Sequence, residues 1–267
     1  MTWEAVVLGI LQGMLEWLPI SSQGNLMLVM VVFLGIEESQ ALGLSVYLHA
    51  GTLFSLLVYF RRVILDLMRA LPEYRFGRSN SKENNLISFL LLATVLTGIV
   101  GYPIFRLAQT TTVLGEIFIA LIGAALILTG LLQKTIERSG SRTTQDIRLT
   151  DSLLLGVLQG LSAFPGVSRS GITTSALLFR RFKSESALRL SFLMSIPAIL
   201  VAEIGLSLTA GFAAINTSDV IIGCSSSFIT GLISIHILLR IAQRIKFWTF
   251  CVAVGSLALL PVLGFLL

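Results

Sequence analysis

The chain has 267 residues, of which 55% are hydrophobic and only 12% charged, with a formal net charge of +5 and a mean hydropathy of +0.90. A soluble domain carries about 25% charged residues, so the composition excludes one and identifies an integral membrane protein. The basic residues sit between apolar segments, as loop charges do, which argues for membrane lipids and against nucleic acid as partners.

The N-terminal Met-Thr-Trp-Glu-Ala lacks a basic region, so the first apolar stretch does not read as a cleavable signal peptide. That stretch is interrupted: Ala5–Leu18 and Leu26–Ile36 flank the polar insert Pro-Ile-Ser-Ser-Gln-Gly-Asn. Three uninterrupted segments follow, near 42–60, 86–105 and 113–133. A second interrupted stretch comes next, Ser152–Phe164 and Ile172–Phe179 around Pro-Gly-Val-Ser-Arg-Ser-Gly. Segments near 187–209, 218–239 and 247–267 complete the chain. The six uninterrupted segments have the roughly 20 residues that a bilayer crossing needs. The interrupted halves reach only ~12–21 Å as helices and are expected to form re-entrant hairpins. Cys224 and Cys251 lie in apolar segments without metal-ligand spacing and read as buried thiols.

If both hairpins return to the side they enter from, 17 of the 19 Lys and Arg residues share one face. They fall between Arg61 and Lys82, Lys134 and Arg148, Arg180 and Arg189, and Arg240 and Lys246. Arg106 alone lies opposite, and Arg169 lies within the membrane. Basic loops mark the cytoplasmic side. The expectation is a multi-pass plasma-membrane protein with cytoplasmic basic loops (Ser79 and Ser139 among them) and both termini and Ala213 outside.

The two interrupted stretches are alike. Leu8–Asn25 laid on Leu155–Ile172 without a gap gives seven identities in 18 positions, including Gln12/Gln159, Ser21/Ser168 and Gly24/Gly171. Three full crossings separate the copies, an odd number, so the halves would be inverted. The expected architecture is an all-α polytopic single membrane domain. It is an inverted repeat of one re-entrant helix hairpin plus three transmembrane helices, with six full spans and two hairpins in all. Repeat 1 covers about 1–140 and repeat 2 about 150–267. The hairpins enter from opposite sides, so their tips can meet near the midplane.

Irregular backbone at membrane depth is tolerated when it is buried in protein or lines a wet cavity. The tips carry what a phosphate needs: small residues, hydroxyls from Ser21, Ser22, Ser168 and Ser170, and the planar donor fork of Arg169. Glu16 adds the one carboxylate deep in a broken segment. Gly9, Gly13, Gly156 and Gly160 fit helix packing, and Gln12 and Gln159 fit interhelical hydrogen bonds. Ser21 and Ser168 suit helix caps as well as ligand contacts. Glu16 and Arg169 are free to pair with each other. His49, near a span centre, suits a hydrogen-bonded structural role or an auxiliary one at the site.

The segment Gln-Gly-Met-Leu-Glu-Trp-Leu-Pro-Ile-Ser-Ser-Gln-Gly-Asn (Gln12–Asn25), with Pro-Gly-Val-Ser-Arg-Ser-Gly (Pro165–Gly171), resembles the two signature motifs of the bacitracin-resistance undecaprenyl-diphosphate phosphatases. The resemblance extends to His49–Arg62 and Leu190–Ala198, so it covers most of the chain. It implies hydrolysis of a long-chain polyprenyl diphosphate to the monophosphate, which recycles a lipid carrier for cell-envelope glycan synthesis. It also implies a divalent cation, Mg²⁺ or Ca²⁺. By the resemblance Glu16, Ser22 and Arg169 are catalytic and Glu16 is the metal ligand. Ser21, Gly24, Asn25, Ser168, Ser170, Gly171 and Thr173 bind substrate, with Gln12 and His49 as auxiliaries. A homodimer is left open. Asn25 stands where the family usually has histidine, and asparagine cannot relay a proton. A polyprenyl-phosphate transporter built on the same inverted repeat is the alternative reading.

Overall fold

A computed structural model describes residues 2–18, 21–76, 81–110, 140–163, 167–209 and 216–241, with single positions among 124–134 and at 252 and 256. Among these residues the chain is helical: α1 Thr2–Leu15, α2 Ser22–Leu28, α3 Glu38–Tyr59, α4 Arg61–Ala70, α5 Lys82–Thr110, α6 Leu149–Leu161, α7 Arg169–Phe179, α8 Ser184–Thr209 and α9 Thr217–Ile241. One isolated bridge, Arg142 with Phe182, is the only strand-like pairing among the described residues.

Helices α5, α8 and α9 are long and apolar enough to cross a membrane, and α3 with α4 forms a fourth candidate bent by 73°. Four of the expected spans thus fall on α3, α5, α8 and α9. Apart from single positions, the spans expected near 113–133 and 247–267 lie outside the described residues, as do Ser79, Ser139 and Ala213. Large apolar side chains face outward along these helices, among them Ile99 at 63%, Ile221 at 60% and Val201 at 56% exposure. Such surfaces need lipid around them, and the protein is a multi-pass membrane protein.

Both interruptions break the helix. α1 ends at Leu15 and α2 starts at Ser22; α6 ends at Leu161 and α7 starts at Arg169. Each restart is capped in the same way. Ser21 Oγ accepts from the Gly24 amide (3.3 Å) and Ser168 Oγ from the Gly171 amide (3.1 Å), so equivalent positions of the two copies perform the same local task. Ser21 reaches its cap through a left-handed backbone, φ 53°, a conformation that a non-glycine residue holds only when its surroundings enforce it.

The first helix of each broken pair packs on a long helix of the other half. A methyl group built on Gly9 would lie 2.3 Å from the Gly223 carbonyl oxygen of α9, and one on Gly13 2.7 Å from the Gly231 nitrogen. On the other side, a methyl on Gly156 would lie 2.7 Å from the Ala93 oxygen of α5, and one on Gly160 3.1 Å from the Gly101 nitrogen. Small residues allow this backbone-to-backbone approach. The registers agree: Gly9 and Gly156 are 147 residues apart, as are Gly13 and Gly160, while Ala93 and Gly223, like Gly101 and Gly231, are 130 apart. Beneath the tips a core of Trp17, Leu56, Phe60, Phe192, Leu193 and Ile235 joins α3, α8 and α9. Trp17 and Phe192 meet edge to face at 5.4 Å.

The base of α6 is fixed by charge. Asp151 is fully buried and accepts from Arg142 Nη2 (2.5 Å), Arg180 Nε (2.7 Å) and the Arg148 amide (2.9 Å). Burial alone would raise its carboxyl pKa, but the bonds from Arg142 and Arg180 outweigh it and hold the group below the usual carboxylate range.

Candidate active site

α1 ends at Leu15, ahead of Pro19, which cannot continue a helix; the Glu16 amide still bonds to the Gln12 carbonyl (3.0 Å), so its side chain hangs from the last turn into the gap between the tips. Glu16 is 4% exposed. Its Oε2 accepts from Ser22 Oγ (2.5 Å) and Gln12 Nε2 (3.0 Å) and lies 3.2 Å from His49 Nε2. Its Oε1 is ion-paired with Arg169 Nη2. Four side chains from α1, α2, α3 and α7 therefore converge on one carboxylate.

Arg169 reaches across from the second hairpin at the first turn of α7. Pairing with Glu16 uses Nη2, while its Nη1 is buried without a hydrogen-bond partner. Buried guanidinium donors are costly to leave unpaired, so Nη1 has the geometry of a group awaiting an anionic oxygen. Ser170 Oγ donates to the Leu18 carbonyl (2.7 Å), a second tie between the tips, and lies 3.3 Å from Ser168 Oγ.

His49 Nδ1 sits 2.6 Å from the Ser45 carbonyl. A carbonyl only accepts, so Nδ1 carries the proton. The contact between Nε2 and the carboxylate then needs one more proton, shared by His49 and Glu16. An imidazole expected at most as an auxiliary thus touches the central carboxylate.

The other sequence-predicted residues divide. Asn25 Nδ2 donates to the Ser21 carbonyl of its own helix start (2.9 Å). Thr173 Oγ1 bonds the Arg169 carbonyl (2.8 Å) and Ser191 Oγ (2.6 Å), fastening α7 to α8. Gly24 and Gly171 lend their amides to the caps. Gln159 makes an interhelical bond, to Thr97 (3.1 Å), whereas Gln12 turns within its own helix to Glu16. The carbonyls of Leu18 and Ser45 and the Ser191 hydroxyl are participants that sequence reasoning missed; none carries a side-chain signature except Ser191, whose pairing follows from the α7–α8 contact alone.

A family model described as "Bacitracin resistance protein BacA" matches residues 5–260. The chain belongs to this family. Its matched range holds every residue of the converging set, from Gln12 to Ser170. A protein named undecaprenyl-diphosphatase from Methanococcoides burtonii is 46% identical, over 97% of this chain and 97% of its own. Two others with that name, from Haloarcula marismortui and Methanothrix thermoacetophila, are each 38% identical, over 95% and 96% of this chain and 94% and 95% of their own lengths.

For a metal, the donor set matters. Among the described residues no group of three or more His, Cys, Asp or Glu stands together, which does not suit zinc. What is present is oxygen: the Glu16 carboxylate, the serine hydroxyls, and Gln12 Oε1, which is buried without a partner. A hard cation that takes one protein carboxylate and completes its shell with phosphate oxygens fits these residues.

Proposed function

We propose that the chain dephosphorylates a long-chain polyprenyl diphosphate of the undecaprenyl type to the monophosphate, and so recycles a lipid carrier. One observation carries the reading: Ser22 Oγ donates at 2.5 Å to Glu16, and the cation beside that carboxylate has a buried donor to spare. The names of the relatives agree with it.

In the proposed reaction the terminal phosphate lies against Arg169 Nη1. Ser22 Oγ attacks the terminal phosphorus as Glu16 takes the hydroxyl proton, and the bond to the bridging oxygen breaks, releasing the polyprenyl monophosphate. Glu16 passes that proton to the departing monophosphate; water then attacks the phosphoserine, giving a proton to Glu16, which returns it to Ser22 Oγ as the P–O bond to Ser22 breaks and inorganic phosphate leaves. Gln12 and His49 hold the carboxylate in place. A divalent cation, Mg²⁺ or Ca²⁺, held by Glu16 and Gln12 Oε1, supplies neutralisation of the phosphate charge when bound.

The finer topology belongs to the same reading: six spans and two re-entrant hairpins, two inverted repeats of about 1–140 and 150–267, basic loops in the cytoplasm and both termini outside, in the plasma membrane. The reciprocal packing of α1 on α9 and α6 on α5 in matching registers supports it, as does the one-sided distribution of basic residues.

Phosphate release by the purified protein from a long-chain polyprenyl diphosphate, with Mg²⁺, Ca²⁺ or chelator, tests the activity. A general base contributes ~10²–10⁴ in rate, so Glu16→Gln should lose at least a hundredfold, and Ser22→Ala comparably. Full activity in Glu16→Gln would refute the scheme.

A further inference from the structure

Helix α4 takes no part in the site, and its surface is unlike that of the spans beside it. The chain turns by 73° between α3 and α4, so α4 runs steeply off the axis of the span it follows, and α5 begins another span soon after. A segment tethered between two spans in this way lies at the bilayer boundary. No residue of α4 is buried. Its exposed residues separate by chemistry: Leu65 at 48% and Met68 at 59%, with Leu71 just beyond at 52%, against Arg61, Arg62, Asp66 and Arg69. This is the pattern of a helix lying in the interface.

Beneath α4 is an open cavity of about 250 Å³, lined by Ile64 and Leu67 of α4, Leu90 and Leu91 of α5, and Leu193 and Ile196 of α8. Thr94, also at its wall, commits its hydroxyl to the Leu90 carbonyl at 2.7 Å, so no polar group is left to hold water. Leu90 to Thr94 lie 4 to 8 residues after Leu86, where the apolar run of α5 begins, about 6–12 Å along the helix, a depth within one leaflet of a ~30 Å hydrocarbon core.

The headgroup end is cationic. Arg61 uses Nη1 on the Val58 carbonyl (3.0 Å), which leaves its other donors outward, and Arg69 is shared with Asp66 (3.6 Å). Arg62 has no ion-pair partner among the described residues. We propose that α4 and the cavity form a binding site for one anionic phospholipid, its phosphate at the Arg61–Arg62 pair and an acyl chain in the cavity. Charge selects the headgroup, and the apolar wall selects the chain.

The site is independent of the proposed reaction, and retention rather than turnover tests it. Native mass spectrometry of the full chain would count phosphatidylglycerol and phosphatidylcholine retained as each is titrated into detergent. The wild type should prefer phosphatidylglycerol. Each basic residue near a lipid surface adds about a fivefold preference, so Arg61→Gln/Arg62→Gln should weaken phosphatidylglycerol about 30-fold and phosphatidylcholine, whose choline offsets its phosphate charge, far less. Leu91→Trp, at a half-exposed position, should fill the cavity and abolish retention with both arginines in place; Leu91→Phe is the milder filler should the first fail to fold by melting temperature. Equal retention of the two lipids by the wild type, or unchanged retention in either variant, would overturn the proposal. Displacement of phosphatidylglycerol by a polyprenyl diphosphate, lost in the filled variant, would assign the cavity to an isoprenoid tail and overturn it as well.

Discussion

Replacing Arg169 by lysine separates two things that this residue does. Its Nη2 neutralises Glu16 and its Nη1 stands buried without a partner. Lysine brings one charge on one nitrogen and no planar fork. It can remain against Glu16 and keep the hairpin tips joined, but it cannot also present a second donor to a phosphate oxygen from the same position. A hydrogen bond to a charged group contributes about 1.5–3 kcal/mol, so Arg169→Lys should lower kcat/KM by about 10- to 150-fold. The change should appear equally in affinity for a non-hydrolysable diphosphate analogue, with little change in melting temperature. Arg169→Ala is the contrasting control: it strands the Glu16 carboxylate, at 4% exposure, and removing one partner of a buried pair destabilises by about 3–5 kcal/mol. The measurements are phosphate release on purified protein, analogue binding, and thermal unfolding in detergent. An Arg169→Lys variant with wild-type kcat/KM and wild-type analogue affinity would refute the assignment of Nη1 to the phosphate.

Asn25→His should retain or raise activity, since the tip already holds a polar side chain of similar reach bonded to the Ser21 carbonyl; a wild type inert with every divalent metal but active after this change would remove Ser22–Glu16 chemistry as sufficient. His49→Gln should lower kcat only modestly, because glutamine can still donate to Glu16, and a loss as large as that of Glu16→Gln would make His49 the base instead. Asp151→Asn should destabilise by about 3 kcal/mol, a fall of roughly 6–12 °C in Tm. The Asp151 carboxyl lies below its ordinary value in the folded state, so its stabilisation is present above about pH 4 and is lost as pH falls through the lowered value; the variant should lack that acid-side component in unfolding scans. A cysteine at Ser139 should resist impermeant thiol reagents in intact cells, and labelling there would reverse the topology.

What the sequence disclosed and what it hid follow from the range of each interaction. The breaks near Pro19 and Pro165 and the Ser21 and Ser168 caps were legible because their signals are local: a helix ends for reasons within a few residues. Four spans were legible from apolar length. The meeting of Glu16 with Arg169 followed from matching the two copies, which supplies long-range information that a single segment lacks. His49 was harder, since it lies 33 residues after Glu16 in a span with no motif of its own, and only the packing of α3 brings it to the carboxylate. The clamp of Arg142 and Arg180 on Asp151 joins residues up to 38 positions apart with nothing periodic to announce it. The 73° turn before α4 was invisible as well, because a falling hydropathy marks where a span ends without saying where the helix goes next.

The ties between Glu16 and Arg169 and between Ser170 and Leu18 have a kinetic consequence. The carboxylate and the hydroxyl belong to one broken pair of helices and the guanidinium to the other, so the constellation proposed to react is complete only at the seam. A lipid headgroup that wedges the tips apart by more than a hydrogen-bond length takes the constellation apart as it enters. In the proposed reaction, turnover therefore has to wait for the seam to close around the bound phosphate.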